Sequence, residues 1–586
     1  MPPGRAPGLP VAGAWSVAAC VGLAALGATG CPRSKLLPRA DGAAVVLVSP
    51  DAGAAPGVLS LAEVEPNGTL AKAQKIELAL PSAVMIRGSL DPSAAEPSAH
   101  GYDDDIYRLI IVDTPNAGIG GAAASADTGA PAPGGRAASN RRRLSVVLDP
   151  DPPLAFVAML LDDSGQVLAK TAGIPGNDRA SLRGFPSFTV SPGVYFLKIH
   201  LGERASGTTY RATLRLGSVE AGEEVEPNDR ATLATELALP GEAVGYLGWY
   251  NDQDWYRVPL EGLPEGSVLN ADLEALPGVS ASLVVLDSQE RKLTEARGRK
   301  EERVAVRNIR VPAGEPHLFL MVRNDAGQNI EVRYNLRVRT EVAKPGAAGG
   351  DLEPNDDAQH ANPLADGTVQ GYLGRGDVDV YRYTAAEPLE LDIEAAPPER
   401  VDLKMEIVRE PDGLLLVRAD SGKRQEPERL PNLAAPAGSL LIRLTAGKGD
   451  GNPDEPYRLT VASHRPEPGA EREPNGTAAS ATPIPAGGAG NGLLFPKGDV
   501  DFWQAPATAD AEGNVAITAT GVSGLVLDLH VLSLAGKELG RFKISGDAPV
   551  TNRLAVAAEA CCVVQVREAS GKAANFRDRY TVTVGR

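Results

Sequence analysis

Glu224-Val225-Glu226-Pro227-Asn228-Asp229 is one of four versions of a single acidic phrase, and the recurrence of that phrase decides the fold. The others are Glu63-Val64-Glu65-Pro66-Asn67-Gly68, Asp351-Leu352-Glu353-Pro354-Asn355-Asp356 and Glu471-Arg472-Glu473-Pro474-Asn475-Gly476. Each is followed by D-x-D and two bulky residues: Asp103-Asp104-Asp105-Ile106-Tyr107, Asp252-Gln253-Asp254-Trp255-Tyr256, Asp377-Val378-Asp379-Val380-Tyr381 and Asp499-Val500-Asp501-Phe502-Trp503. Phrases repeated in one order mark repeated structural units.

Working outward, each unit carries the same run of strand signals. An alternating run follows D-x-D, as in Tyr256-Arg257-Val258. A central hairpin comes next, with turns at Asp162–Gly165, Asp287–Gln289, Pro411–Gly413 and Ala535-Gly536. Asp and Gly supply the backbone geometry of such turns. A Gly turn follows at Gly193, Gly314 and Gly438, replaced in the fourth unit by Ala558-Glu559-Ala560. Each unit closes on a strand opening with Tyr210, Tyr334, Tyr457 or Tyr580. Period-two alternation in these strands puts one face on a core and one in water. Seven or eight short strands per unit predict an all-β chain of four tandem antiparallel β-sandwich, jelly-roll-like domains.

The expected division is a signal segment at 1–30, a Pro/Gly/Ala-rich tether at 31–62, and sandwiches at 63–217, 223–341, 351–463 and 471–586. The first unit is longer because of an extended loop from Asp91 to His100 and a Gly/Ala/Pro/Ser stretch near 116–139. That stretch has too few apolar residues to pack and is expected to stay disordered.

The acidic phrases contain oxygen donors and neither thiol nor imidazole, the donor set of a hard cation such as calcium. The second unit offers Glu224, Glu226, Asn228, Asp229, Asp252 and Asp254. The third offers Asp351, Glu353, Asn355, Asp356, Asp377 and Asp379. Pro227 and Pro354 are expected to hold an extended backbone, so that Glu-x-Glu-x-Asn projects to one side. Like charges this close repel unless a cation lies among them. The first unit (Glu63, Glu65, Asn67, Asp103, Asp105) and the fourth (Glu471, Glu473, Asn475, Asp499, Asp501) have Gly68 and Gly476 in place of an Asp, so weaker sites are expected there. The alternative is purely structural: E-P-N as a self-capping turn and D-x-D as a solvated loop.

In this order of motifs the chain resembles the bacterial pre-peptidase C-terminal domain, a β-sandwich often appended to secreted peptidases, in four copies. It is also similar to the calcium-binding collagen-binding domains of bacterial collagenases. That resemblance implies calcium held between the acidic segment and the Asp-rich loop, and a non-catalytic role toward extracellular protein or polysaccharide. Its alternative is an accessory or targeting module for a separately encoded secreted peptidase.

The N-terminus carries Arg5, an uncharged small-apolar run from Val11 to Ala28, and Cys31 after Ala28-Thr29-Gly30. The run is short for a membrane span. It resembles a bacterial lipoprotein signal, which implies lipidation of Cys31, a membrane anchor and a cell-envelope location. Ala28 departs from that pattern, where Leu is usual, and an ordinary signal peptide with a secreted or periplasmic product is the alternative.

The formal net charge of −17 repels phosphate backbones, so nucleic acid is not an expected partner. Of the four cysteines, only Cys561 and Cys562 fall in a sandwich. Being adjacent, they are expected to point to opposite faces of a strand as one buried and one edge thiol, with a vicinal disulfide as the alternative. Arg375-Gly376-Asp377 spells an adhesion tripeptide, but Asp377 already belongs to the repeat. In Trp255-Tyr256 and Phe502-Trp503, the first ring is expected beside the loop and the second inside the sandwich. The six histidines occupy unrelated repeat positions, and no HExxH, GxSxG or phosphate-binding loop occurs, so no enzyme is expected.

Overall fold

The computed structural model describes residues 58–90, 103–112, 141–151, 156–171, 183–201, 208–220, 222–248, 252–505, 507, 509–556 and 561–585. The signal segment, Cys31, most of the tether, the loop before the first D-x-D and the 116–139 stretch lie outside them.

Strands account for nearly all regular structure. The helices among the described residues are two three-residue 3-10 turns, Ala231–Leu233 and Ala478–Ser480. Eight sheets form, two from each repeat. In the third repeat the five-stranded sheet runs in the order Asn362–Leu364, Val378–Ala385, Gly438–Ala446, Leu403–Arg409, Leu414–Ala419. The four-stranded sheet runs Gly367–Leu373, Asn452–His464, Leu389–Ala396, Glu428–Ala435. The second and fourth repeats follow this order strand for strand, and the first follows it with one strand added at the edge of its second sheet.

Pairing is antiparallel except at the sheet edges. Each five-stranded sheet opens with a parallel pair: Gln74–Leu78 on Asp104–Ile111, Thr235–Glu236 on Gln253–Pro259, Asn362–Leu364 on Val378–Ala385, and Thr482–Pro483 on Val500–Gln504. Nine strands form in each of the second, third and fourth repeats, against the seven or eight expected, and the first repeat has ten. Leu59–Ala62, read from sequence as the end of the tether, pairs in parallel with Ser82–Leu90, Leu59 opposite Val84. Leu61 packs on the core there, which gives this segment apolar surface to bury.

One apolar cluster fills each pair of sheets. In the third repeat Leu391 and Ile393 from one sheet meet Leu403, Met405, Ile407 and Ile442 from the other. Alternation places these residues inward, and burying each aliphatic side chain contributes roughly 1.5–3 kcal/mol. Tyr256 and Trp503 enter their cores. Trp255 lies on the outer face of its sheet against Val284, Leu286, Phe319 and Met321.

Two local expectations are corrected. Cys561 and Cys562 are both buried with their sulfurs side by side, rather than being one buried and one edge thiol. The backbone at the acidic phrase is not extended through proline. Glu65-Pro66, Glu226-Pro227, Glu353-Pro354 and Glu473-Pro474 are all cis. The chain turns there, and the second Glu accepts a hydrogen bond from the Asn backbone two residues on (2.8, 2.7, 3.0 and 2.9 Å).

Candidate metal sites

Each site lies where an acidic phrase crosses the end of its own sandwich. The first acid is held by the sheet that carries the closing tyrosine strand, through the backbone N–H after a recurring glycine. Ser89 donates to Glu63 at 2.7 Å, Tyr246 to Glu224 at 3.1 Å, Tyr372 to Asp351 at 3.0 Å and Leu493 to Glu471 at 2.8 Å. The second Asp of D-x-D comes from the other sheet. Its Oδ2 accepts the hydroxyl of the closing-strand tyrosine: Tyr210 to Asp105, Tyr334 to Asp254, Tyr457 to Asp379 and Tyr580 to Asp501. A second ring joins that hydroxyl, Tyr107, Tyr256 or Tyr381 through its own OH, and Trp503 through Nε1.

The tyrosines reach across because they stand opposite glycine. Gly88, Gly245, Gly371 and Gly492 pair with Tyr210, Tyr334, Tyr457 and Tyr580. A methyl group at any of the four would collide with the tyrosine hydroxyl. The ring fills the missing side-chain volume and delivers its OH to the other sheet.

The carboxylates brought together are Glu63, Glu65 and Asp105; Glu224, Glu226 and Asp254; Asp351, Glu353 and Asp379; and Glu471, Glu473, Asp499 and Asp501. Within each group one oxygen per residue lies within 4.8 Å of all the others. Calcium–oxygen distances of about 2.3–2.6 Å allow one ion to touch oxygens so spaced.

Asn67, Asn228, Asn355 and Asn475 are fully buried beside the acids. Three of them donate Nδ2 to the first acid, Asn67 to Glu63 at 3.0 Å, Asn355 to Asp351 at 2.9 Å and Asn475 to Glu471 at 3.3 Å. Their Oδ1 atoms have no hydrogen-bond partner in the protein. The same holds for one oxygen each of Asp105, Glu226, Glu353, Asp379, Glu473 and Asp501. The Asn228 carboxamide lies 3.0 Å from an oxygen of Glu226 and of Asp254, and with Nδ2 on that side it donates to both. Orphaned buried oxygens cost free energy in any fold. Their recurrence at one place in each repeat, all as acceptors, fits a cation.

Electrostatics agree. Burial, then the neighbouring Glu63, pushes Asp105 up to about 10. Burial lifts Asp254 and Asp351 to about 7. Burial followed by carboxylate repulsion puts Asp499 at about 7 and Glu473 at about 8. Glu224, Glu226, Glu353, Asp379 and Asp501 are also raised, first by burial and then by a neighbouring acid. Among the described residues no cation is bonded into these groups to relieve them, and Arg579 acts on Glu471 only from a distance.

Other residues proposed from sequence stand beside the groups. Asp252 and Asp377 accept from the Gly248 and Gly374 N–H groups at 2.6 and 3.0 Å, shaping the loop before their strand. Asp103 is buried outside the first group. Asp229 and Asp356 are turned to the backbone N–H groups of Gln253 and Val378. Gly68 and Gly476 therefore take no carboxylate from the first and fourth groups. The fourth brings together four acids and each of the others three. Arg375 of the Arg-Gly-Asp tripeptide bonds both oxygens of Glu302 at 2.8 Å, and Asp377 faces its own loop, so the tripeptide is engaged internally.

No family model matches the chain, and no curated protein matches it. Among solved structures, the CUB1-EGF-CUB2 domain of human MASP-1/3 is 9% identical over 38% of this chain and 99% of that one, with a TM-score of 0.13. The BSP domain of a biofilm associated protein is 12% identical over 76% of this chain and 90% of that one (TM-score 0.10). The Bacteroides ovatus protein SGBP-B of a mixed-linkage glucan utilization locus, solved with a heptasaccharide, is 12% identical over 75% and 89% (TM-score 0.11). Likeness at this level carries no functional argument, and the sites stand on their own residues.

Proposed function

We propose that this chain is a non-catalytic, extracytoplasmic protein of the bacterial envelope. In this reading it is anchored through lipidated Cys31, and its four sandwiches bind or space extracellular protein or polysaccharide with calcium in the acidic groups. The observation that carries the calcium reading is the fourfold recurrence of three or four converging carboxylates beside a fully buried Asn, whose oxygen lacks a partner in the first, third and fourth repeats. All donors are oxygens, which suits a hard cation and excludes a thiolate- or imidazole-type site. Four similar units on one string suit avidity toward a repetitive surface polymer.

When bound, calcium would supply charge neutralisation. The first acid, the second Glu, the Asn carbonyl oxygen and the second Asp of D-x-D would hold it, and the tyrosine pair would orient that Asp. The experiment is calorimetric titration of the mature chain with calcium after chelation, followed by retention assays on fibrous protein and glycan resins with and without calcium. Saturable binding with retention on one resin is the expected result. Absence of heat and of any melting shift would remove calcium from the reading. Absence of retention on every resin would leave a spacer.

A further inference from the structure

The acidic phrase is also where consecutive sandwiches meet. Its second Glu pairs with the outer strand of the preceding unit: Glu226 beside Phe188, Glu353 beside Ile309 and Glu473 beside Leu433, each as a parallel bridge. Backbone bonds run from Thr189 N–H to Glu226 O (3.1 Å), Arg310 N–H to Glu353 O (2.8 Å) and Ala434 N–H to Glu473 O (2.7 Å). At each joint the outer strand carries a bulge whose side chain bonds the first acid of the next unit. Ser187 Oγ donates to Glu224, Asn308 Nδ2 to Asp351 at 3.4 Å and Asn432 Nδ2 to Glu471 at 3.1 Å. Asn308 and Asn432 take left-handed backbone angles (φ 52° and 53°) to do so. Their backbone N–H groups are caught by Asn270 and Asp392 at 2.9 Å.

The first group has no preceding sandwich among the described residues, and its Glu65 is exposed, whereas Glu226 and Glu353 are buried. We infer that the second, third and fourth cation sites are joint sites: Ser187, Asn308 and Asn432 of the preceding sandwich are positioning residues for the ion held by the next. Ion binding and docking of consecutive sandwiches are then one equilibrium, while the first site is independent of any joint. The inference rests on the calcium reading above, and it does not rest on acidic clustering alone. The buried, unpartnered Oδ1 atoms of Asn355 and Asn475 mark the third and fourth sites independently. A ligand that favours the docked arrangement must by linkage be favoured by it.

The test uses the full mature chain and calcium alone. Variants are Ser187→Ala, Asn308→Gly and Asn432→Gly, glycine being chosen because it accepts the left-handed backbone that alanine resists. Titration counts ions and affinities, and limited proteolysis reads the linkers near 217–222, 343–350 and 464–470. Each variant is expected to weaken one site about tenfold, as loss of a hydrogen bond to a metal ligand does. It should also make the matching linker cleavable in calcium while the other two stay protected. Glu302→Gln cuts the Arg375 contact between the second and third sandwiches without touching a site. By reciprocity it should weaken the third site alone. Calcium binding at wild-type affinity in all four variants, with linker cleavage indifferent to calcium, would overturn the inference and leave the calcium reading standing. No calcium binding by the wild-type chain would overturn both.

Discussion

Tyr334 stands opposite Gly245 on the neighbouring strand and donates its hydroxyl across the sandwich to Asp254 Oδ2 at 2.6 Å. One cross-strand pair thereby ties the four-stranded sheet to the acid supplied by the five-stranded sheet. The same bond recurs from Tyr210, Tyr457 and Tyr580.

Tyr334→Phe removes that bond and leaves buried oxygens of Asp254 and Tyr256 short of a partner. A stability loss of roughly 1–3 kcal/mol is expected. Calcium affinity at the second site should fall about 10- to 100-fold, since the bond orients a ligand. Thermal melting in chelator and calcium titration check the two effects separately.

Gly245→Ala puts a methyl group 2.5 Å from the Tyr334 hydroxyl and against Glu224. The ring must leave its place, and overpacking of this kind costs roughly 1–3 kcal/mol or more. The melting transition of the second sandwich should move down, and a Gly262→Ala control, where nothing lies within 4 Å, should cost only its left-handed backbone angle.

Stability without calcium should fall as pH rises. Asp254 and Asp351 titrate near 7 in the fold against an ordinary 3.8, so between those values the folded chain binds more protons than the unfolded one. Their contribution is complete below about 3.8 and is lost as pH climbs through about 7. Calcium, which binds carboxylates, should reverse this trend and release protons on binding below about 7. Melting in chelator from pH 4 to 8, and calorimetry in buffers of different ionisation enthalpy, test both signs. A flat apo profile would sink the idea.

Asp379→Asn separates the cost of the charge from its use. The asparagine can still accept from Tyr457 and can donate to the neighbouring acids. In chelator at neutral pH the variant should be more stable than wild type, because burial and the neighbouring acids raise the Asp379 carboxyl and an amide escapes that cost. In calcium the third site should be lost. Asp356→Asn, at a position turned toward Val378, should change calcium binding by less than a factor of about three.

Much of the site was visible in one dimension because its acids sit in two short phrases at fixed places in every repeat. Glu226 and Asp254 could be paired from recurrence alone. Asp229 and Asp356 were grouped with them because they are acidic and adjacent, yet adjacency does not tell which way a side chain turns. The tyrosines carried a signal, recurrence at the head of the closing strand, but that signal reads equally well as core packing until the opposite glycine is seen. Ser187, Asn308 and Asn432 share only a short polar side chain before a buried apolar residue, Phe188, Ile309 or Leu433, too little in one dimension to mark a contact with the next unit.

The sequence by itself determined that this protein is a string of four β-sandwiches with an acidic phrase at the head of each, because alternation and turn residues act locally and repetition exposes them. Only the tertiary structure decided which oxygens share a site, that a tyrosine over a glycine holds one of them, and that the preceding sandwich bonds another. Those facts depend on strand register and on the meeting of two sheets and two units, where residues far apart in the chain become neighbours.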